Sequence, residues 1–128
     1  MAAYLLDTHA FIWQATGDAQ LSKNARSIIQ SNHSLLLSIA SIWEMAIKVN
    51  IGKLTFSAAF PELVQDEIEA NKYQIFQIQP EHLFALSSLP HHHKDPFDRI
   101  LIAQAMIEEI PIVSVDPKFD LYPVRRIW

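Results

Sequence analysis

Four short apolar runs constrain this chain more than any other feature: Tyr4-Leu5-Leu6, Leu35-Leu36-Leu37, the alternating stretch from Tyr73 to Ile78, and Ile112-Val113-Ser114-Val115. Each is too short for a stable helix and too apolar for a loop, so each reads as a strand, buried in every case but the alternating one. The residues between them carry helical signals. Ser22 is a good cap for a helix over 22–30, and the span 39–49 is apolar on several sides and is expected to be mostly buried. The span 61–71 is amphipathic, and Pro80 and Pro96 open helices over 80–89 and 96–110, the latter stopped by Pro111. A short helix around Phe11-Ile12-Trp13 fades at Gly17, and 124–128 adds an edge strand. Buried strands alternating with helices require a mainly parallel sheet covered on both faces, because parallel neighbours need crossover connections. In such α/β folds ligands sit beyond the carboxyl ends of the strands.

The size fits one domain spanning residues 1–128, and half of the residues are apolar, enough to close a core. Scarcity excludes more. The chain has no cysteine, which removes disulfides, thiol nucleophiles and cysteine-based metal sites. Its two glycines, Gly17 and Gly52, are too far apart for a phosphate-cradling loop. The amino-terminal residues carry no basic start and no long apolar core, and no run reaches the ~20 residues that span a bilayer, so a cytoplasmic location without membrane contact is expected.

Acids follow the apolar runs. Asp7 comes directly after the first and Asp116 directly after the last, Glu44 lies early in the helix after the second, and Asp98 sits in the first turn of the long helix with Asp95 ahead of it. Each has an ordinary structural explanation. Ser41-Ile42-Trp43-Glu44 fits a capping box, Asp95-Pro96-Phe97-Asp98 fits a cap followed by proline and a first-turn acid, and Asp116-Pro117 fits a turn. Together they point elsewhere. Two carboxylates about 4 Å apart in a partly screened site repel by about 4 kcal/mol, so a gathering of them calls for a cation or a held proton. Oxygen donors without sulfur suit a hard divalent ion, Mg²⁺ or Mn²⁺, which commonly meets phosphate.

Tyr4-Leu5-Leu6-Asp7-Thr8-His9, the stretch Ser38 to Lys48, Asp95-Pro96-Phe97-Asp98-Arg99 and Ser114-Val115-Asp116 together resemble a PIN domain, and more narrowly a VapC-type toxin of a type II toxin–antitoxin pair. The similarity runs through essentially the whole chain. It implies a three-layer α/β/α fold and a Mg²⁺- or Mn²⁺-dependent endoribonuclease. Asp7, Glu44 and Asp98 match the family's core acids as metal-binding catalytic residues, and Asp116 matches a more variable fourth. Asp95, Ser114 and Thr8 are accessory positions: Asp95 as a cap, Ser114 as an orienter of Asp116 or a water, Thr8 as a local cap or a support for a metal-bound water. The implied reaction is in-line attack by a metal-activated water, leaving a 5′-phosphate and a 3′-hydroxyl. The implied partners are RNA, a second copy of the chain and an antitoxin that covers the acids.

The formal charge is -4 with histidines neutral, which is unusual for a nucleic-acid binder unless metal neutralises several acids. Lys48 and Arg99, close to the acids in sequence, are the best candidates to meet RNA phosphates. His91-His92-His93 is expected near the mouth of the site more than as a metal ligand, since adjacent side chains point apart. An apolar patch for another chain is expected around Phe11, Ile12 and Trp13 with Phe56, Phe60, Leu63 and Val64. Two rival readings remain: a non-catalytic RNA- or protein-binding module whose acids are only caps, and a receiver-like phosphoacceptor domain. The receiver pattern lacks its paired acid, because Thr8 and His9 follow Asp7, and a haloacid-dehalogenase phosphatase lacks its second acid for the same reason.

Overall fold

A computed structural model describes residues 2–31 and 33–128. The elements in chain order are β1 (Ala3–Leu6), α1 (Thr8–Thr16), α2 (Lys23–Gln30), β2 (Ser34–Ser38), α3 (Ile39–Asn50), α4 (Phe60–Asn71), β3 (Gln74–Phe76), α5 (Pro80–Ser87), α6 (Pro96–Glu108), β4 (Ile112–Val113), a 3₁₀ segment (Pro117–Leu121) and β5 (Arg126–Ile127). The five strands form one sheet in the order β3-β2-β1-β4-β5, and every pairing is parallel.

Alternation along the strands builds three layers, since neighbouring strand residues face opposite sides of a sheet. Leu6, paired with Leu37 and Val113, joins Phe11, Ile28, Ile29, Met45 and Val64 in the core beneath α1, α2 and α4. Leu5, paired with Leu36 and Ile112, joins Leu101, Ile102 and Phe119 on the face covered by α5 and α6. The result is the expected α/β/α sandwich.

Local chemistry sets the helix ends. Asp7, Ser22, Ser38 and Asp95 each cap the helix that follows by accepting a backbone N–H. Gly17 ends α1 in the left-handed conformation, at φ 65°. Since Ser38 starts α3, Ser41 and Glu44 lie inside the helix, and the capping-box reading of that pair is replaced. Asp95 caps α6 through Phe97 N and Asp98 N, as its accessory role required, which leaves the Asp98 side chain free of that duty.

The apolar surface differs from expectation. Phe11 and Val64 are core residues, whereas Ile12, Trp13, Phe56, Phe60 and Leu63 are half-buried against that core, Trp13 edge-on to Trp128. The more exposed large apolar side chains include Trp43 and Ile47 of α3 with Ile51 at its cap, at four-residue spacing, and also Leu83, Phe84 and Leu121 elsewhere. Thus α3 is not mostly buried. Among the described residues, no helix is long and apolar enough to cross a membrane.

Candidate active site

The order of strands reverses beside β1: the chain moves outward to β2 and β3, then returns to β4 on the other side. Such a switch point leaves a crevice at the carboxyl ends of the flanking strands. Asp7 follows β1 there, with its N–H bonded to Val113 O at 3.0 Å, and Asp116 follows β4. A cleft of about 430 Å³ opens at this edge, lined by Asp7, His9, Trp13, Asp98, Asp116 and Pro117 among others. A slightly larger hollow by Pro111, at the opposite end of β4, has Glu109 and Arg125 as its charged lining and so holds a single acid beside a base.

Asp7 is buried, with 3% of its surface exposed. Its Oδ1 accepts from Ala10 N at 2.7 Å, and the nearby Ser114 side chain also favours its charged form. Burial outweighs these partners and pushes its pKa up to about 6, with Glu44 adding repulsion. Asp98 goes further, to about 8, because of burial and then the charges of Asp95, Asp7, Glu44 and Asp116. The acids sense one another, which places them in a common electrostatic field. For Asp116 burial is the largest influence, yet the Lys118 N–H and His93 together overcome it and hold the carboxyl below its ordinary value.

Glu44 does not line the cleft; it is buried behind Thr8. The Thr8 hydroxyl donates to Glu44 Oε1 at 2.8 Å and lies 3.0 Å from the Ser41 hydroxyl. Lys48 Nζ sits 2.7 Å from Glu44 Oε2, and this hydrogen bond raises the lysine pKa. Thr8 is therefore a link between α1 and α3 and not a cap, the cap being Asp7. Ser114 is fully buried and its hydroxyl accepts from Asp116 N at 3.0 Å, so it steadies the turn that carries Asp116.

Arg99 departs from its expected role. It is buried, and its guanidinium donates to Leu89 O, Pro90 O and His93 O at 3.0, 2.9 and 3.2 Å. These carbonyls take three of its five N–H donors, and burial sets the guanidinium away from solvent. Sequence reasoning also undervalued His93. Its Nε2 lies 2.8 Å from Asp116 Oδ2 and 3.2 Å from Asp98 Oδ2, inside the acid group, whereas His91 and His92 are exposed. The available signal was its position two residues before the cap of α6.

The donor chemistry fits a divalent cation. Asp7, Asp98 and Asp116 offer carboxylate oxygens to one cleft, and Glu44 adds charge from behind Thr8. Ligand atoms of His93, Asp98 and Asp116 lie within 4.8 Å of one another. Among the described residues the Asp98 carboxylate receives no hydrogen bond, and its nearest basic group is His93 Nε2 at 3.2 Å, so its charge lacks a strong local partner. A hard cation answers that shortage.

Comparison with known proteins agrees with this architecture. Among curated proteins none matches the sequence. The fold is similar to VapBC2 from Rickettsia felis bound to a DNA fragment from their promoter, with a TM-score of 0.74 at 12% identity over 98% of this chain and 97% of that one. It is similar to DNA-bound VapBC from Salmonella typhimurium, with a TM-score of 0.70 at 13% identity over 99% and 98% of the two chains. It also resembles FitAcB from Neisseria gonorrhoeae, with a TM-score of 0.70 at 14% identity over 98% and 96%. At these identities the likeness is one of fold. The family model of the PIN domain, however, matches the sequence itself over residues 4–124, a span that takes in every acid of the cleft, and the chain therefore belongs to the PIN-domain family.

Proposed function

We propose that this protein is a Mg²⁺- or Mn²⁺-dependent endoribonuclease acting as the VapC-type toxin of a toxin–antitoxin pair. The observation that carries the reading is the convergence of Asp7, Asp98 and Asp116 on one cleft, where burial and mutual repulsion lift two of them far above ordinary carboxylate values. Asp7, Asp98 and Asp116 would hold the ion directly, and Glu44 would complete the set through its approach beside Thr8. When bound, the ion supplies an activated water and offsets negative charge on a scissile phosphate. Ser114 and Thr8 keep the carboxylates aimed, and Lys48, with 39% of its side chain exposed, extends toward the RNA backbone. In-line attack leaves a 5′-phosphate and a 3′-hydroxyl.

The same reading gives the protein two protein partners. The exposed row Trp43, Ile47 and Ile51 suits a second copy, and the cleft suits an antitoxin segment that covers the acids. The similar structures named as VapBC complexes support a partner of that kind.

The test is incubation of the purified chain with total RNA and Mn²⁺. Cleavage that stops with EDTA and in Asp7→Asn supports the proposal. RNA held without cutting assigns the protein to the binding modules, and phosphate taken from acetyl phosphate assigns it to the phosphoacceptors.

A further inference from the structure

Of the three adjacent histidines only His93 is buried, and the loop that carries it is fastened from two sides. Arg99 reaches three of the loop's carbonyls. The Tyr122 hydroxyl donates to Pro90 O at 2.7 Å and accepts from His93 N at 2.8 Å. Phe119 packs against the imidazole, with ring centres 5.6 Å apart. The direction of the ring is thus set by the fold.

Its tautomer is set as well. His93 Nδ1 accepts the backbone N–H of Asp95 at 3.2 Å. A backbone amide nitrogen can only donate, so Nδ1 must present its lone pair, and the proton of the neutral ring sits on Nε2. That N–H donates to Asp116 Oδ2 at 2.8 Å, with Asp98 Oδ2 close by at 3.2 Å. An imidazole nitrogen binds a metal through a bare lone pair. In this arrangement Nε2 has none to offer, although its distance to the acids alone would admit it to a ligand set.

We propose that His93 is a positioning residue that holds Asp116 in place beside Asp98 by donating from Nε2, and that it is not a ligand of the ion. The proposal rests on the metal-dependent reading above. It also gives Arg99 and Tyr122 a purpose: they aim the imidazole at the acids.

Two substitutions separate the functions of the ring. His93→Asn keeps an acceptor near Nδ1 and removes the donor, whereas His93→Gln keeps a donor near Nε2. Mn²⁺ binding is measured by EPR of the free ion, and direct nitrogen coordination by pulsed EPR of the loaded protein. Expected are no directly bound imidazole nitrogen in the wild type, a loss of about 10- to 100-fold in Mn²⁺ affinity for His93→Asn, and substantial retention for His93→Gln. Tyr122→Phe, which frees the loop without touching the ring, gives an intermediate loss and stands in if His93→Asn does not fold. A nitrogen coupling that disappears in His93→Gln makes the residue a ligand and overturns the proposal. Equal affinity in wild type, His93→Asn and Tyr122→Phe overturns it too. A wild-type chain that binds no Mn²⁺ refutes the metal-dependent reading itself, a result distinct from either.

Discussion

Thr8 and Glu44 stand 36 positions apart in the chain, yet the Thr8 hydroxyl donates to the Glu44 carboxylate at 2.8 Å with both residues buried. The bond joins the first residue of α1 to the second turn of α3, so an acid that does not line the cleft is still held in register with Asp7, which caps α1.

Thr8→Val preserves the shape and deletes this bond, leaving a buried carboxylate oxygen short of a donor. The chain should lose about 1–3 kcal/mol of stability, read from urea denaturation. Mn²⁺ affinity should fall in the same variant.

Proton binding gives a second expectation. Asp98 holds its proton in the folded chain up to about pH 8, against an ordinary value of 3.8, and Asp7 does so up to about 6. The native state therefore carries more protons than the unfolded chain through this interval. The resulting stabilisation is complete below the ordinary value and disappears as the pH climbs to the folded one. Metal-free protein should melt at a higher temperature at about pH 5 than at about pH 9, and Asp98→Asn should flatten the difference. Since metal competes with these protons, Mn²⁺ affinity should rise over the same interval.

The elements were largely legible in the residues, because short apolar runs, caps and prolines are local signals. Asp7 and Asp116 were found by their place after strands, and Asp95 by its cap-proline pattern. Other assignments needed the tertiary structure. Ser41 and Glu44 imitate a capping box, and only the earlier cap at Ser38 shows that the helix has already begun. Arg99 was assigned by closeness in sequence to the acids, but its guanidinium turns to the loop carbonyls. His93 could not be told from His91 and His92 until the fold oriented one ring inward. The α3 row was misjudged because an apolar face gives no hint of whether anything covers it.

Arg99→Lys should expose the difference between a scaffold cation and a phosphate-binding one. A lysine cannot reproduce the fork that meets three carbonyls, and the loss should be about 2–3 kcal/mol in thermal or urea unfolding. RNA affinity, measured where the variant remains folded, should change little in its salt dependence.

Lys48 is the contrasting case, a half-exposed cation paired with Glu44. Lys48→Met should weaken RNA binding, and the slope of log affinity against log salt should fall by about one. Removing its positive charge should at the same time tighten Mn²⁺ binding. Fluorescence anisotropy at several salt concentrations and a parallel Mn²⁺ titration read the two effects.

The reversal of strand order beside β1 has a wider consequence. The reactive groups hang from strand ends and helix starts, while Leu5, Leu6, Ile112 and Val113 beneath them make up the interior. A scaffold divided in this way is open to evolutionary tinkering: a descendant could shed or exchange its chemistry by altering a few rim positions and inherit the architecture intact.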